Sequence, residues 1–550
     1  MGSERYSAAL RHFREVCGNA FDEQEKLLLR LMRDNKDTEY GRRYGFCNIH
    51  SQCEYGDAVP ITEYKDYDEY ISRIIKGERD LISSSPPVFY SISSGSTGTP
   101  KYIPLTEEDI FAQGRYAEDT FAGIVQEELP HDDPDELFGC IFNLGSVFLT
   151  SMADGTPNGI RSGSYHQCRY LDGTLDVSHF FAPAQVIFPE KMEDMLYIKL
   201  RFALANKDIT AIHGVFVHRV WGIIRYVRQK RDALLSDIAT GTVSELFGVS
   251  DRWRDYICEK LPADPERAEY LRTVFDTLPP EKILRAVWKK LRYIRMIGGS
   301  IFSEFDEKLK PYIGDIPVHS IVYSSSESTL GLSPKMNVSD CYVLLPDVCF
   351  YEFIPEDKMY HSSQTLTVSQ VETGKRYELV ITTLSGLYRY RIGDVVEIVG
   401  RYGLSPIVRV CYRKNLVLNV ADERLNVMQF NNTMEMFAER TGSKTEYFCI
   451  SGNHSDVVSR YVLYIETNDA LPDNARTILD ECFCVCSLGY KGAREIGDLG
   501  LADVRPVQVG SFAEYERRRR VNGRNTDQSK PLRILIDDDQ INFFERKRII

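Results

Sequence analysis

The segment Ser91-Ile-Ser-Ser-Gly-Ser-Thr-Gly-Thr-Pro-Lys101 predicts an anion-binding loop. It follows the strand-like run Val88-Phe89-Tyr90 and is rich in hydroxyl side chains. Gly95 and Gly98 permit positive φ and a close approach of the backbone to phosphate oxygens, while Lys101 adds a positive charge. A Walker A loop is excluded, because that motif has a Ser or Thr directly after its lysine. A surface loop of the same composition is the alternative.

Length and composition indicate a globular protein with two domains. The chain has 550 residues, of which 43% are hydrophobic and 27% charged, and single cores stop growing at roughly 250–300 residues. The formal net charge of −13 argues against nonspecific binding to nucleic acid or to an anionic membrane. An anionic substrate such as ATP must therefore be held by a local positive site.

Two features of the sequence, its first residues and its cysteines, indicate the cellular compartment of the protein. The first residues, Met1-Gly-Ser-Glu-Arg-Tyr-Ser7, lack the apolar centre of a signal peptide, and no apolar run approaches the ~20 residues that span a bilayer. The 13 cysteines are an odd number without C-x-x-C pairs, which favours reduced thiols. Cys482, Cys484 and Cys486 are not spaced as in zinc sites, and we expect buried thiols there. The sequence predicts a cytoplasmic protein.

The middle of the chain alternates helices and strands. Thr106-Glu-Glu-Asp109 approximates a capping box that opens a helix. The region 191–291 is mostly helical around a strand at Ile209–Phe216. His213 and His218 flank the start of the next helix, where core or cap roles are more common than catalysis. Metalloprotease and α/β-hydrolase motifs are missing from the sequence.

Later strands run out into polar loops. Ile294-Arg-Met-Ile-Gly-Gly-Ser300 is a strand ending in a Gly-Gly turn, and Pro317-Val-His-Ser-Ile-Val-Tyr-Ser-Ser-Ser-Glu327 is a strand ending in serines and a glutamate. Such loops at the ends of strands build the ligand sites of α/β sheets. Glu327 is a carboxylate that could hold a divalent ion among phosphate oxygens, with a surface glutamate as the alternative. In Leu387-Tyr-Arg-Tyr-Arg-Ile-Gly-Asp-Val-Val396, Asp394 follows a glycine and suits two vicinal hydroxyls.

These blocks resemble those of known enzymes. Residues 93–101, Ser-Ser-Gly-Ser-Thr-Gly-Thr-Pro-Lys, resemble the phosphate-binding loop of adenylate-forming enzymes. Tyr-x-Ser-Ser-Glu at 323–327 and Tyr-Arg-x-Gly-Asp at 390–394 narrow the resemblance to the auxin-responsive acyl-acid amido synthetases, the Gretchen Hagen three family, in a divergent or bacterial-type form. The resemblance implies an α/β fold: a large, firefly-luciferase-like N-terminal adenylation domain (1–415) for ATP and acyl substrate, and a smaller, mobile α+β C-terminal lid domain (416–550).

The resemblance also implies roles for individual residues. Lys101, Glu327 and Lys530 would be catalytic, with Glu327 facing Mg²⁺ and Lys530 brought to the phosphates by the smaller domain. Asp394 would bind the ribose hydroxyls, and Tyr323 would lie near the adenine. The expected nucleotide contacts are Ser93, Ser94, Gly95, Ser96, Thr97, Gly98, Thr99, Gly299, Ser300, Tyr323, Ser324, Ser325, Ser326, Asp394, Arg409 and Arg424.

The C-terminal part departs from the family pattern in two places. Where the family carries Asp-Lys and then an acid, this chain has Asp422-Glu-Arg-Leu-Asn-Val427, so that Arg424 replaces the lysine with a rigid guanidinium fork. In Gln528-Ser-Lys-Pro-Leu-Arg533 the proline falls one place early. The basic run at residues 517–520 predicts a solvated helix end and not a nucleic-acid site.

The implied reaction has two halves. A carboxylic acid and ATP give an acyl-adenylate and pyrophosphate, and the amine of an amino acid then attacks the adenylate to give an amide and AMP. One alternative is an acyl-CoA synthetase-like ligase that uses the same adenylate. The other is a noncatalytic nucleotide-binding protein, which the altered segment at 422–427 favours. We expect ATP and Mg²⁺ as cofactors, small-molecule acid and amino acid substrates, no nucleic-acid or membrane partner, and a monomer.

Overall fold

The computed structural model describes residues 2–94, 100–189, 195–298, 303–358, 364–414, 417–418, 420, 425–443, 447–453, 459–496, 499–521, 532–535 and 538–549. The chain divides into two compact units, Met1–Val410 and Cys411–Ile550. Among the described residues, every helix is either too short or too polar to cross a lipid bilayer.

Helices make up most of the first half of the chain, and they form where apolar residues recur at helical spacing. The helix at Ala20–Asn35, for example, buries Leu27, Leu28, Leu31 and Met32. In the described residues of the first unit the α-helices are α1 Gly2–Gly18, α2 Ala20–Asn35, α3 Glu39–Arg43, α4 Gln52–Ala58, α5 Asp68–Ile75, α6 Glu107–Gly114, α7 Phe121–Glu128, α8 Arg161–Leu171, α9 Ala184–Ile187, α10 Met195–Ala205, α11 Val217–Thr240, α12 Asp251–Lys260, α13 Pro265–Thr277, α14 Pro280–Val287 and α15 Ser303–Ile313. The second unit adds α16 Val427–Thr441, α17 Ala475–Cys486, α18 Leu488–Ile496, α19 Ser511–Val521 and α20 Asp538–Arg546. A π-helical turn at Arg115–Thr120 joins α6 to α7.

Strands are short and most of their residues are buried. Their bounds are β1 Pro87–Ser94, β2 Pro100–Thr106, β3 Cys140–Asn143, β4 Thr150–Ser151, β5 Pro157–Gly159, β6 Ile209–Phe216, β7 Tyr293–Ile297, β8 Val318–His319, β9 Val322–Ser324, β10 Thr329–Leu332, β11 Tyr342–Leu344, β12 Cys349–Pro355, β13 Leu366–Thr367, β14 Arg376–Thr383, β15 Tyr390–Tyr402, β16 Ser405–Arg413, β17 Val417–Leu418, β18 Leu425–Asn426, β19 Tyr447–Asn453, β20 Arg460–Glu466 and β21 Asp503–Val507. The predicted strand at Ile209–Phe216 is confirmed with the same bounds.

Three sheets build the first unit. An eight-stranded sheet has the order β13-β12-β14-β15-β16-β11-β10-β9, a four-stranded sheet has the order β2-β1-β5-β4, and a parallel sheet has the order β3-β6-β7-β8. In the second unit β19, β20 and β21 form a three-stranded sheet, and β17 pairs with β18. The mixed α/β fold with a larger N-terminal and a smaller C-terminal unit agrees with the prediction.

Two large apolar cores and a smaller one around Phe121 and Tyr293 hold the described part of the first unit together. One large core lies between the N-terminal helices, the β1–β2 hairpin and the eight-stranded sheet, and it includes stacked tyrosine rings such as Tyr40 and Tyr388, whose centroids are 5.0 Å apart. The other large core packs the helices from α9 to α15 around the parallel sheet. The site elements described below are therefore anchored on packed sheets.

The predicted strand at 317–327 is in fact two strands in two different sheets. β8 pairs with β7 in the parallel sheet, whereas β9 pairs with β10 in the eight-stranded sheet. The intervening Ser320 and Ile321 carry the chain from one sheet to the other. This segment therefore links the two large cores directly in front of Glu327.

Asp347 ties α1 and the π-helical turn to the β11–β12 connection. His12 Nε2 donates a hydrogen bond to its carboxylate at 3.0 Å, Tyr116 Oη donates at 2.6 Å, and Arg115 lies 3.1 Å away. Burial alone would raise the pKa of Asp347, but the hydrogen bonds of His12 and Tyr116 outweigh it and leave that pKa lowered. The ionised form is therefore favoured by folding.

We expect Asp347→Asn to weaken the acid dependence of unfolding. A lowered pKa in the folded state gives a stabilisation that is present above the unfolded value of about 3.9 and is lost as pH falls through the folded pKa. The variant should be less stable at neutral pH by about 1–3 kcal/mol and should lose less stability below about pH 4. Urea unfolding at a series of pH values measures this. Asp34→Asn, at an exposed ion pair with Arg33, is the control, and parallel pH profiles for wild type and Asp347→Asn would contradict the prediction.

Candidate active site

The strands on either side of the predicted phosphate loop form a β-hairpin. β1 and β2 pair antiparallel, with Ser93 opposite Lys101 and Ser94 opposite Pro100. The loop residues themselves, Gly95, Ser96, Thr97, Gly98 and Thr99, lie outside the described residues. Lys101 Nζ lies 4.8 Å from the centre of the Tyr64 ring, a cation–π contact that holds the lysine at the end of the hairpin.

Residues 93–101 are the first motif block, residues 323–327 the second and residues 387–396 the third. The second block forms a tight turn between β9 and β10. The Ser325 N–H donates to the Ser328 carbonyl at 3.0 Å, and the Glu327 N–H lies 3.3 Å from Ser325 Oγ. Ser324 is exposed, whereas Ser326 and Glu327 are half-buried. The turn therefore presents the glutamate at the edge of the sheet with part of its surface accessible.

The second and third blocks meet through two tyrosines. Tyr323 Oη donates a hydrogen bond to Asp394 Oδ2 at 2.8 Å, and both side chains are buried. Burial, followed by the negative charge and the hydrogen bond of Glu327, raises the pKa of Tyr390. Tyr390 and Asp394 both lie on β15. Two carboxylates that are 67 residues apart in the sequence, at positions 327 and 394, thus reach the same strand.

Tyr64 joins the first block to this group, and sequence reasoning missed it. Its ring contacts Lys101, its Oη accepts the Tyr102 N–H at 3.1 Å, and it contributes to the raised pKa of Tyr390. Tyr64 lies in a short 3₁₀ turn outside every motif, and the sequence contains no local signal for this role. Tyr390 is the first residue of the Tyr-Arg-x-Gly-Asp motif at 390–394, but the motif by itself does not predict this contact.

Asp109 is a buried connector between the blocks and not part of a capping box. Thr106 makes no side-chain cap hydrogen bond at the start of α6, so the predicted capping box is wrong. Asp109 Oδ1 instead pairs with the Arg161 guanidinium, and its Oδ2 accepts from Ser385 Oγ at 2.9 Å. The same Ser385 Oγ accepts the Thr106 N–H at 3.0 Å. Burying the Asp109 carboxylate without partners would cost free energy, and the contacts with Arg161 and Ser385 offset this cost.

Arg161 extends the connection to the second block. Its Nη2 lies 3.3 Å from Thr329 Oγ1, two residues after Glu327, and its carbonyl accepts from Gln113 at 3.1 Å. Ser385 lies two residues before the segment 387–396. The Asp109–Arg161 pair therefore connects three elements: α6, which follows the β1–β2 hairpin, the β9–β10 turn, and the segment that leads into residues 387–396.

Of the four remaining predicted nucleotide contacts, Arg409 lies in the described part of the chain. Arg409 lies on β16, its side chain is 46% exposed, and it is 3.8 Å from Glu397. Gly299, Ser300 and Arg424 lie outside the described residues, as does the predicted catalytic Lys530.

The described group can serve two chemical tasks. A buried, hydrogen-bonded carboxylate such as Asp394 suits a pair of hydroxyl donors, and a half-buried carboxylate such as Glu327 suits a hard cation shared with phosphates. Among the described residues, no three or more His, Cys, Asp or Glu side chains lie close enough together to hold a metal ion by themselves. Magnesium held by one carboxylate and substrate phosphates does not need such a cluster.

Comparisons with known proteins identify relatives that cover most of the chain. It is 27% identical over 542 residues to the indole-3-acetic acid-amido synthetase GH3.4 of Arabidopsis thaliana, covering 93% of this chain and 89% of the relative. It is 28% identical over 529 residues to the jasmonoyl–L-amino acid synthetase JAR4 of Nicotiana attenuata, covering 92% and 89%. The solved acyl acid amido synthetase AtGH3.15, in complex with 2,4-DB, has the same fold, with a TM-score of 0.84 at 23% identity over 99% of this chain and 96% of that one.

A more distant fold likeness is to 2-hydroxyisobutyryl-CoA ligase with its acyl-AMP, with a TM-score of 0.50 at 14% identity, covering 99% of this chain and 92% of the ligase. Models of the GH3 family N-terminal, central and C-terminal domains match residues 9–318, 342–413 and 428–539. These matches span most of the sequence and confirm the resemblance found in its motifs: the chain belongs to the GH3 family.

Proposed function

We propose that the chain is an ATP-dependent acyl-acid amido synthetase. In the first half-reaction, a carboxylate oxygen of the acid attacks the α-phosphorus of ATP, and the bond to pyrophosphate breaks. In the second, the amine nitrogen of an amino acid attacks the acyl carbon, AMP leaves, and the nitrogen loses a proton. Curated relatives bear names of this activity with indole-3-acetic and jasmonic acids.

The observation that carries the proposal is the meeting of the second and third blocks. The 2.8 Å bond from Tyr323 to Asp394, and the hydrogen bond of Glu327 with Tyr390 on the same strand as Asp394, support a shared role for the two carboxylates at a nucleotide. We assign Asp394 to the ribose hydroxyls and Glu327 to the metal. The protein contributes mainly position and charge, because such a displacement needs little covalent catalysis.

The residues present fit Mg²⁺. Glu327 is half-buried in a serine-rich turn, so the local donor groups are oxygens, the ligands that this hard cation takes. When bound, Mg²⁺ would neutralise charge on the triphosphate. The other assignments of the proposal are Lys101 and the loop 93–99 at the phosphates, Tyr323 and residues 299–300 along the base, and Ser324, Ser325, Ser326, Arg409 and Arg424 around the nucleotide.

The division of labour between the units is also part of the proposal. Residues 1–415 would bind ATP and the acid, and residues 416–550 would act as a lid that brings Lys530 to the phosphates. We further propose a monomer without nucleic-acid partners, in keeping with the net charge of −13. A cytoplasmic location is proposed from the thiol chemistry. The 13 cysteines are thiols and not disulfides, and burial raises the pKa of Cys482, the buried member of the predicted thiol group, in which Cys484 and Cys486 are half-buried.

ATP turnover tests the function directly. We expect the purified full chain to consume ATP over many turnovers only when both an acid and amino acids are present, with release of AMP, pyrophosphate and a product of amide mass. The measurement is a panel of carboxylic acids with and without mixed amino acids, following nucleotide, pyrophosphate and product mass together. Turnover that requires coenzyme A in place of the amino acid would favour the acyl-CoA synthetase, and ATP binding without turnover across the panel would favour a noncatalytic protein.

A further inference from the structure

Lys101, which the proposed function places at the phosphates, is held by an aromatic ring. Its Nζ lies 4.8 Å from the centre of the Tyr64 ring, and both side chains are half-buried. Among the residues that the structure describes, no Asp or Glu forms an ion pair with this ammonium. The described side chains thus leave the positive charge of Lys101 uncompensated.

An aromatic ring holds a cation without neutralising it. The face of a tyrosine attracts an ammonium through the quadrupole of the ring, which carries no net charge. A carboxylate would also hold the lysine, but its negative charge would repel the phosphates that the lysine has to bind. Because the lysine stem is long and flexible, a ring that limits its freedom before ATP binds favours the placement of the charge. The Tyr64 contact therefore suits a lysine that stays available to an anion.

The Tyr64 ring is fixed relative to Lys101 by the next residue on β2. Tyr64 Oη accepts the Tyr102 N–H at 3.1 Å and donates to the Tyr102 carbonyl at 3.4 Å. β2 lies at the edge of its four-stranded sheet, so that its outward backbone groups are open to such contacts. Burial raises the pKa of Tyr64, which keeps the phenol neutral and able to donate. The ring is therefore attached to the strand that carries Lys101.

The backbone beside Tyr64 is anchored to the third block through Thr62. The Thr62 N–H donates to the Arg389 carbonyl at 2.9 Å, and the Thr62 carbonyl accepts the Arg391 N–H at 2.9 Å. The Thr62 hydroxyl donates to the Tyr388 carbonyl at 2.8 Å, and the residue is buried. Thr62 and Tyr64 are separated by a single residue. Tyr64 therefore links the β-hairpin of the first block to the beginning of β15.

We infer that Tyr64 is a positioning residue for the adenylation half-reaction: its ring holds the Lys101 ammonium where the phosphates of ATP bind. The inference rests on the proposed synthetase function and adds to its site a residue that lies outside the sequence motifs. Tyr64 acts through Lys101. Its anchors on β2 and β15 set the place of the ammonium relative to the strand that carries Asp394.

Two variants of Tyr64 separate the ring from its hydroxyl. Tyr64→Leu removes both, and we expect kcat/KM for ATP in pyrophosphate exchange, with a substrate acid and Mg²⁺ present, to fall about 5- to 30-fold. Tyr64→Phe keeps the face of the ring and should lose less than about threefold. The matched control is Tyr256→Leu on α12, a half-buried tyrosine whose ring centre lies 5.8 Å from Lys260 Nζ. This control should exchange pyrophosphate like the wild type.

Removing the lysine tests whether Tyr64 acts through it. In a Lys101→Met background, measured at a raised enzyme concentration, we expect Tyr64→Leu to have no further effect on the exchange, because the group that it positions is gone. A merely structural tyrosine would lower the exchange by the same factor with and without the lysine. Thermal unfolding of each variant checks that folded proteins are compared. If Tyr64→Leu does not fold, Tyr64→Met, with its adaptable side chain, takes its place.

Three results overturn the inference while leaving the synthetase function standing. They are wild-type exchange by a folded Tyr64→Leu, equal losses in Tyr64→Leu and Tyr64→Phe, and equal losses from Tyr64→Leu with and without Lys101. If the wild type binds ATP but turns over no acid, calorimetric titration with ATP repeats the comparison on the dissociation constant. A loss of affinity in Tyr64→Leu that depends on Lys101 supports the inference, and any other pattern rejects it. A chain that binds no ATP rejects the inference together with the proposed function.

Discussion

Asp394→Asn should lower kcat/KM for ATP by about 100- to 1000-fold in the adenylation half-reaction. A carboxylate that accepts from two ribose hydroxyls makes charge-assisted bonds, each worth about 1.5–3 kcal/mol. The amide is isosteric, and its oxygen can still accept the bond from Tyr323, so the local fold should survive. Exchange of labelled pyrophosphate into ATP, with a substrate acid present, measures the step without the amino acid.

Tyr323→Phe is the matched comparison for this prediction. It removes the neutral partner of Asp394 and leaves the charge, and we expect a loss of only about tenfold, because one neutral hydrogen bond contributes about 0.5–1.5 kcal/mol. If Asp394→Asn folds normally and exchanges pyrophosphate as the wild type does, Asp394 does not bind the ribose. Equal losses in the two variants would point instead to a structural role for the Tyr323–Asp394 contact.

Arg161→Met should destabilise the first unit by about 3–5 kcal/mol. The substitution leaves the fully buried Asp109 carboxylate with the Ser385 hydroxyl as a donor but without its guanidinium partner, and breaking a buried ion pair from one side typically costs this much. The three tryptophans, Trp221, Trp253 and Trp288, all lie in the first unit, so their fluorescence during urea unfolding reports on that unit.

The neighbouring residue of the same helix supplies the control. Glu108 pairs with Arg30 at 2.8 Å, but the two side chains are 53% and 35% exposed. Arg30→Met should therefore cost under about 1 kcal/mol. Adding Asp109→Asn to Arg161→Met should recover part of the loss, because it removes the uncompensated charge. Equal destabilisation by Arg161→Met and Arg30→Met would show that burial of the Asp109 pair is energetically unimportant.

The sequence alone determined the class of the fold and the order of the nucleotide-binding blocks. Glycines, hydroxyl residues and a lysine after an apolar strand indicate an anion loop from local chemistry. The glycine directly before Asp394 likewise indicates a turn that presents this carboxylate to a ligand. The strand at Ile209–Phe216 was predicted with its observed bounds, because an apolar run of eight residues between helices leaves few alternatives. The family relationship followed from these local patterns.

Only the tertiary structure decided which residues meet. Local sequence made Asp109 a helix-capping residue, whereas its real partners, Arg161 and Ser385, are 52 and 276 positions away. The contact of Tyr64 with Lys101 likewise depends on packing between separate elements of the chain. Periodicity and turn chemistry act over a few residues, but register and long-range burial are set by the packing of the whole unit. The sequence therefore identified the loops, and the folded chain decided how they are held and which side chains join them.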